Sequence, residues 1–468
     1  MTAETAATTA AYTRALAEHA SGLKTADPPD EIKHEVSRVV LDCIGCAVAG
    51  LVTDGGRIAV DLMKDERGRL EATVIGAGPA SVMPAAYANT MLANALDFDV
   101  WGPEGHMAPA TVLAALAVAE AIDAPGAELL AACVAGLEVG GRVGGALRRF
   151  GMSGRPQAGA GDVRGQGHVV LGVAAAAGRL LGLSADGMQH ALGIAGYSAT
   201  VPTLRKFFSS VNHPMTKYDH LGLMAQAGIQ AAHLAQRGFT GDLEVLEGDI
   251  GFWRFAGAAG CDWERLTRDL GTQWATREVA YKWYPTNHSV SNPTIALLQS
   301  MVREHALKPD EIEHIEVRRG RSAEPPPEAI TSQMEAWTVP HYTIAAGVFD
   351  VRPRRSWQQP ETYRRTDLTA FMQRIDLRPL REGEVTTTGN YWEHFSPIRV
   401  TIRARGQTFE GAQDHMPPTD DETLVTKFHE NVAGFVSPDA ARAVEQACWS
   451  LESLGSTREL TGQLTVKS

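Results

Sequence analysis

The sequence has few cysteines, no long apolar run and no cluster of basic residues, and each absence excludes a class of protein. Five cysteines in 468 residues are odd in number and too few for a disulfide framework. Cys43 and Cys46 form a C-x-x-C pair without a second pair of cysteines, so we interpret them as small core residues of a helix. The net charge of −12 and the absence of lysine and arginine runs make nucleic acid and anionic membranes poor partners.

Signals for export or membrane insertion are also missing. The stretch MTAETAATTAAYTRALAEHA carries an early acidic residue and lacks the uninterrupted apolar core of a signal peptide. No run approaches the 18 or so apolar residues of a membrane span. The composition, 44% hydrophobic and 21% charged, is that of an ordinary soluble globular protein, and the expected location is the cytoplasm.

The glycine-rich segments do not match the known nucleotide motifs. Gly76-Ala77-Gly78-Pro79 follows a predicted strand at 70–76, but Pro79 interrupts the loop and the third glycine position falls on Ser81. The glycine-rich loop at 151–167 lacks the Gly-Lys-Ser/Thr ending of a phosphate loop. No HExxH motif occurs. We therefore expect neither a nucleotide cofactor nor a metal.

The hydrophobic pattern changes near residue 275. Before it, and again from Asp420, apolar residues recur at helical spacing; after it, period-two alternation occurs in REVAYKWYP, HIEVRRGR and PIRVTIRARGQTFEG. These patterns predict a mainly α protein, with a large all-helical domain formed by 1–276 and 413–468 and a smaller α+β lid domain inserted at 277–412. Helices are predicted at 10–24, 30–51, 81–96, 108–124, 127–149, 169–182, 185–198, 217–237, 291–306 and 341–349 and from about 420 onward.

The central helix is predicted from Lys217 to Gln236, with Gly238 as its left-handed cap. Lys217 and His220 are three residues apart in its first turn, so they share a face. The unpaired backbone N–H groups and the positive end of the helix dipole favour a carboxylate there and bias both side chains toward their neutral forms. The alternative for Lys217 is a solvated surface lysine.

Other titratable residues fall in loops and at helix starts. Each alone is more often structural, but together their cations, imidazoles and phenol match a small di- or tricarboxylate. A His, Lys or Tyr can then move a proton at the carbon next to a carboxylate, as in β-elimination, decarboxylation or epimerisation, none of which needs a cofactor. The candidates are Asp97, Asp99, His106, Arg155, Arg164, His168, Lys282, His288 and Tyr342.

Four segments resemble the MmgE/PrpD family, whose members include 2-methylcitrate dehydratase, cis-aconitate decarboxylase and iminodisuccinate epimerase. They are NALDFDVWGPEGH, KYDHLG with GFTGDLEVLEGDIGF, YKWYPTNHS and VPHYTIAAG, and the resemblance runs from about residue 10 to about 435. It implies a large helical domain, an inserted lid domain, a homodimer, and an active site in the cleft between the two domains.

The resemblance also assigns residues. Asp97 matches the first aspartate of the family's DFDD, and His106 matches the histidine that follows it. Lys217, Lys282 and Tyr342 match the lysine of the central helix, the lysine before Tyr-Pro and the tyrosine of the lid helix. The implied catalytic residues are Asp97, His106, Lys217, His288 and Tyr342, and the implied substrate-binding residues are Arg155, His168, His220 and Lys282.

This chain departs from the family pattern at several positions. The last aspartate of DFDD is Val100, and the usual His-Pro is His106-Met107. The histidine after the glycine-rich stretch falls on Val163, and His168 replaces it only with a shift of five residues. His288 lies one place after the position of a catalytic histidine, which is Asn287 here.

The leading hypothesis is a cofactor-independent lyase on a small polycarboxylate. Lys217, Lys282 and Arg155 bind carboxylates, His106 and Tyr342 are the acid/base candidates, and Asp97 orients His106 or acts itself. An epimerase or isomerase of a small dicarboxylate, and a non-catalytic carboxylate-binding protein, are the alternatives. The sequence does not choose the substrate, nor between elimination, decarboxylation and epimerisation.

Overall fold

The computed structural model describes residues 11–66, 68–148, 165–210, 213–288, 291–320, 325–384, 397–415 and 417–464. The chain is mostly helical with a small sheet, as predicted. It divides into two compact units. The larger unit takes the described residues up to Ala95, then Asp99–Ala280 and those from Leu424 onward; the smaller takes Leu96–Phe98 and Tyr281–Thr423. The predicted domain limits and the lid role of the inserted domain stay predictions.

Twenty helices lie in the described part of the chain. In chain order they are α1 (Tyr12–Gly22), α2 (Asp30–Gly50), α3 (Asp54–Lys64), α4 (Val82–Asn94), α5 (Met107–Ala121), α6 (Gly126–Ala146), α7 (Val169–Leu180), α8 (Ala185–Tyr197), α9 (Leu204–Phe208), α10 (Thr216–Gln236), α11 (Phe252–Phe255), α12 (Trp263–Thr267), α13 (Ser291–Glu304), α14 (Gln333–Thr338), α15 (Pro340–Val348), α16 (Pro360–Tyr363), α17 (Thr366–Met372), α18 (Asp421–Val432), α19 (Pro438–Trp449) and α20 (Arg458–Thr461).

The strands are short and fall into three sheets within the described residues. The sheet with four strands has the order β6-β5-β7-β8, with β5 parallel to β6 and the other pairs antiparallel. The strands are β1 (Ala72–Val74), β2 (Gly78–Ala80), β3 (Leu147–Arg148), β4 (Gly260–Cys261), β5 (Ile312–Arg319), β6 (Ile375–Pro379), β7 (Ile398–Ala404) and β8 (Gln407–Gln413).

The central helix is confirmed. α10 packs against α4, α7 and α8, and Leu221 and Met224 of its apolar stripe are fully buried. Gly238 has a φ of 86°, and the next residue, Phe239, donates its N–H to the carbonyl of Leu234, so the helix ends in the predicted left-handed cap. The N-cap position is Met215, which makes no side-chain capping bond.

Glycines allow two helices of the larger unit, α6 and α7, to approach closely. A Cβ on Gly136 would lie 2.7 Å from the carbonyl oxygen of Gly172 on α7, and one on Gly140 would lie 3.2 Å from the Cα of the same residue. The first distance is too short for a side chain, and the second leaves room for one only if the neighbouring backbone moves. Close packing here places α5, buried along almost its whole length, in the middle of the unit.

The smaller unit has its own core between one face of the sheet and its helices. Ile315 and Val317 of β5 pack in one cluster with Tyr342 and Ile344 of α15 and with Trp357. Period-two alternation of β5 and β7 explains why alternate residues of these strands are buried. The strand predictions at 314–321 and 397–411 are confirmed.

Two other expectations have a mixed outcome. REVAYKWYP, expected as a strand, begins in the last two residues of the short 3₁₀ helix Ala275–Glu278, and in this stretch only Ala280 pairs, with Trp101. Pairing of one residue does not form a strand, so alternation misled the prediction here. Cys43 and Cys46 are free and buried on α2, which agrees with their interpretation as core residues.

One described helix has the length and apolar composition to cross a membrane, and a second candidate arises if the bent pair α2–α3 is counted as one span. The first is α6, Gly126–Ala146, which lies almost entirely inside the protein. Core helices of soluble proteins pass the same test. The finding is therefore weak support for a membrane location.

Buried neutral histidines make the stability of the larger unit depend on pH. Burial, followed by the nearby charge of Arg142, lowers the pKa of His19 to about 4, and burial with the charge of Lys217 does the same for His220. The folded pKa lies below the unfolded value of about 6.5, so the unfolded chain binds more protons between these values. The stabilisation is complete above pH 6.5 and is lost toward pH 4, by up to about 1.4 kcal/mol per pH unit for each histidine.

Urea unfolding at pH 7.5, 6 and 5 measures this slope. In the variant His19→Gln, the free energy of unfolding should fall less between pH 6 and 5, by the contribution of one histidine. An unchanged slope in that variant would mean that His19 is protonated equally in both states.

Candidate active site

Three titratable side chains meet in the larger unit, between the loop that follows α4 and the first turn of α10. The Nδ1 of His106 lies 2.7 Å from a carboxylate oxygen of Asp99, and its Nε2 lies 3.5 Å from the Nζ of Lys217. Asp99 is fully buried, His106 is 3% exposed and Lys217 is 5% exposed. We call Asp99, His106 and Lys217 the proton-transfer cluster.

The environment of His106 fixes its orientation. Asn94 at the end of α4 donates a hydrogen bond of 2.9 Å to the other carboxylate oxygen of Asp99, which leaves the first oxygen facing the imidazole. Trp101 packs edge-on against the ring with centroids 4.9 Å apart. A carboxylate that accepts Nδ1–H selects the tautomer whose Nε2 carries a lone pair. That lone pair faces Lys217.

The start of α10 supplies positive potential beside the cluster. Its N-cap residue makes no side-chain capping bond, and the positive end of the helix dipole favours an anion there. His220 lies one turn after Lys217, and burial followed by the charge of Lys217 lowers the pKa of His220 to about 4. The expectation that His220 is biased toward its neutral form agrees with this pKa. At neutral pH, His220 is uncharged.

Residues after the glycine-rich loop hold the other end of the loop that carries His106. The side-chain oxygen of Gln166 accepts the backbone N–H of His106 at 3.2 Å, and His168 Nε2 lies 3.1 Å from the carbonyl oxygen of Glu104. The ring of His168 is fully buried against Gly144, where a Cβ would lie 2.7 Å from a ring carbon. The ring of His168 therefore contacts the backbone of the loop that carries His106. Whether it replaces the histidine missing at Val163 stays a prediction, since Val163 lies outside the described residues.

A buried ion pair that the sequence analysis missed supports the same loop. Lys427 of α18 contacts Asp42 of α2 at 2.5 Å, and both side chains are almost fully buried. The second oxygen of Asp42 accepts the N–H of Val100 at 2.8 Å. Val100 directly follows Asp99, so this pair anchors the backbone next to the cluster. The valine at the last aspartate position of DFDD thus contributes its backbone N–H to this anchor.

The role expected for Asp97 needs correction. It is Asp99 whose carboxylate contacts His106, whereas Asp97 belongs to the smaller unit and pairs with Lys282. The Nζ of Lys282 donates to the Asp97 carboxylate at 2.9 Å and to its carbonyl at 2.7 Å. Asp97 has a φ of 50°, which interrupts the extended alternation that would have placed both aspartates alike. The charge of Lys282, expected to bind substrate, is matched by Asp97.

Removing one partner of this pair should destabilise the protein strongly. Both side chains are almost fully buried, so Asp97→Asn leaves the ammonium of Lys282 without a counter-charge. A broken buried pair costs about 3–5 kcal/mol, and urea unfolding at pH 7.5 measures this loss. The double variant Asp97→Asn/Lys282→Met should recover most of it. A single variant as stable as the wild type would show that the pair contributes little.

Tyr342, expected as an acid or base, has a structural position. It is fully buried in the core of the smaller unit, and its hydroxyl donates to the carbonyl of Trp357. Burial raises the pKa of Tyr342 above the ordinary value for tyrosine. A buried phenol needs an internal acceptor, and this one has it in the backbone. The hydroxyl proton is thus already committed to a hydrogen bond in this structure.

The remaining candidates contribute less. His288 is buried in the smaller unit shortly before α13, and Arg155 and Arg164 lie outside the described residues. Across the described ranges, no group of three or more histidine, cysteine, aspartate or glutamate side chains is arranged to hold a metal ion.

Comparison with known proteins agrees with the resemblance. The profile of the MmgE/PrpD N-terminal domain matches residues 14–260, slightly more than half of the chain. The chain is 27% identical to human cis-aconitate decarboxylase over 96% of its own length and 93% of that protein. It is 26% identical to the mouse cis-aconitate decarboxylase over 94% and 90%. It is 27% identical to the cis-aconitate decarboxylase of Aspergillus terreus over 59% and 58%.

These relatives are lyases, which indicates a family function of the dehydratase or decarboxylase type. The matched region of the profile contains Asp99, His106 and Lys217. The chain therefore belongs to the MmgE/PrpD family of enzymes.

Proposed function

We propose that the protein is a lyase that acts on a small di- or tricarboxylic acid, by proton transfer at the carbon next to a carboxylate. The observation that carries this proposal is the contact chain Asp99–His106–Lys217 at the uncapped start of α10. The decarboxylase relatives support the same reaction class.

The helix start and Lys217 bind one carboxylate of the substrate. The helix dipole and the ammonium of Lys217 each favour a negative charge there. This binding places the neighbouring carbon near His106 Nε2, whose tautomer Asp99 fixes. Charge that develops on that carbon is stabilised through the bound carboxylate.

The cluster then serves either of two lyase reactions. In decarboxylation the bond between carbon and carboxylate breaks, carbon dioxide leaves, and the electron pair stays on carbon until the Lys217–His106 pair delivers a proton. In dehydration His106 removes the proton from carbon, the double bond forms, and the hydroxyl leaves with a proton as water. Neither reaction as written transfers an electron to or from an external acceptor.

Incubation with candidate acids in deuterium oxide, followed by NMR and gas analysis, tests the proposal. The candidates are cis-aconitate, citrate-type hydroxy acids and small dicarboxylates. Release of carbon dioxide with one deuterium on the product carbon, or a new alkene signal, is expected. Deuterium entry without any other change in mass would indicate an epimerase. Thermal stabilisation by a tricarboxylate without turnover would indicate a carboxylate-binding protein and overturn the proposal.

A cytoplasmic location and assembly as a homodimer stay predictions of the sequence analysis. Light scattering after size exclusion measures the second directly.

A further inference from the structure

The smaller unit contains a buried arginine that its sheet position does not explain. β5 alternates, and Ile315 and Val317 face the core, so Arg319 lies on the same inward face two residues further along. Arg319 is only 6% exposed. An inward position at this register ordinarily holds an apolar residue.

Arg319 has no counter-charge in the described part of the chain. No carboxylate there forms an ion pair with it, and its Nε is buried without a hydrogen-bond partner. Burial is the sole cause that lowers the pKa of Arg319, to about 10, and no acidic neighbour opposes it. A buried unpaired cation is costly, and proteins retain such groups where a ligand supplies the missing charge.

The neighbouring α15 contributes groups that suit an anion. This helix of nine residues begins at Pro340, which has no N–H, and its N-cap residue Val339 makes no side-chain bond, so the N–H groups of His341 and Tyr342 have no side-chain cap. Tyr342 and Ile344 of α15 share the core cluster with Ile315 and Val317. His341, the second residue of α15, is 3% exposed.

His341 connects these groups electrostatically. Burial, followed by the charge of Arg319, lowers the pKa of His341 to about 4, so Arg319 acts on the first turn of α15. The acidic residue that acts on His341 is Asp376 on β6, which is already paired with Arg378 at 2.7 Å. A guanidinium, a neutral imidazole and the positive end of a helix thus lie in one neighbourhood. These are the donors that bind an oxyanion.

We infer that Arg319, His341 and the first turn of α15 form a binding site for an oxyanion, a carboxylate or a phosphate group, in the smaller unit. The guanidinium accepts such a group through two parallel N–H bonds, which a lysine cannot reproduce. This site does not depend on the proton-transfer cluster or on the proposed reaction. Its occupant can be a carboxylic acid or a free phosphate, and the test separates the two.

Calorimetric titration and thermal melting of the full chain with inorganic phosphate or citrate test the inference. All variants are made in the Lys217→Met background, so that binding at the proton-transfer cluster does not contribute. Arg319→Met should weaken the preferred probe by at least about tenfold, as expected for the loss of a charge-assisted hydrogen bond. Its melting temperature should rise less with the probe than that of the parent. Comparison of the binding of citrate with that of phosphate, at equal ionic strength, shows whether the site prefers a carboxylate or a phosphate group.

The matched control is Arg318→Met. Arg318 precedes Arg319 on the same strand but pairs with Glu316 and Glu384, at 2.6 Å and 3.0 Å, so its loss should leave probe binding unchanged. Arg319→Gln, which keeps a polar side chain, is the second variant if Arg319→Met does not fold. Equal probe binding by the parent and the Arg319 variant, or no binding by the parent, would overturn the inference.

Discussion

Replacing Lys217 with methionine is expected to lower kcat by about 10²–10⁴-fold, the usual contribution of a positioned acid or base. The Nζ of Lys217 is the atom that faces His106 Nε2, and the side chain is buried at the start of α10. Its loss removes both a proton carrier and a carboxylate-binding charge, so KM should rise as well. Steady-state kinetics with the acid identified by the deuterium experiment measure both constants.

A second substitution at the same position separates the two roles. Lys217→Arg keeps the positive charge but holds its proton at all accessible pH values, so KM should stay near the wild-type value while kcat falls. The control is Lys64→Met on α3, an exposed lysine paired with Asp61 at 3.1 Å. That variant should retain full activity. Turnover by Lys217→Met within a few-fold of the wild type would remove Lys217 from the chemistry.

Asp99→Asn is expected to have an effect of similar size, about 10²–10⁴-fold on kcat, with little change in KM. An amide at this position can present its NH₂ group to His106 and favour the tautomer whose Nε2 carries the proton, which turns the base into a donor. Asp99 is fully buried, and its carboxylate meets Asn94 and His106, so it positions the imidazole rather than the substrate. The loss should appear in kcat, because the imidazole then presents a proton instead of a lone pair to the substrate.

The matched control uses another carboxylate–histidine pair of the larger unit. Glu445 contacts His429 Nε2 at 2.7 Å, so Glu445→Gln removes the same kind of contact elsewhere. This variant should leave kcat and its pH profile unchanged. If Asp99→Asn lowers the melting temperature but keeps the kcat profile of the wild type, Asp99 has a structural role alone.

Much of the fold could be predicted because helical periodicity is a local signal. α10, its glycine cap and the strands β5 and β7 all follow from residues that lie close together in the sequence. The alternation in REVAYKWYP failed because a few alternating residues also suit an irregular segment that pairs at one position.

The sequence indicates which residues belong to the site better than it indicates which of them contact each other. The sequence indicates Lys217 and His106. It favours Asp97, and not Asp99, as the residue that orients His106. The choice depends on the backbone of Asp97, whose positive φ carries no sequence signal beyond the mild preference of aspartate for that region. Asp42 and Lys427 are 385 positions apart, so their ion pair is invisible to any local pattern.

The position of Tyr342 shows a different limit. Its place in VPHYTIAAG agrees equally with a catalytic phenol and with a core residue. Only the three-dimensional structure shows that its hydroxyl donates to the carbonyl of Trp357. Arg319 has the same ambiguity, since HIEVRRGR predicts which arginines share a face but not which of them has no counter-charge among the described residues.

The most direct test of the proton-transfer cluster is a crystal structure of the protein with bound citrate or malonate. We expect a ligand carboxylate at the first turn of α10, within hydrogen-bonding distance of Lys217 Nζ. The adjacent carbon should lie within reach of His106 Nε2. A ligand bound elsewhere, with the Asp99–His106–Lys217 contacts closed and unchanged, would contradict it.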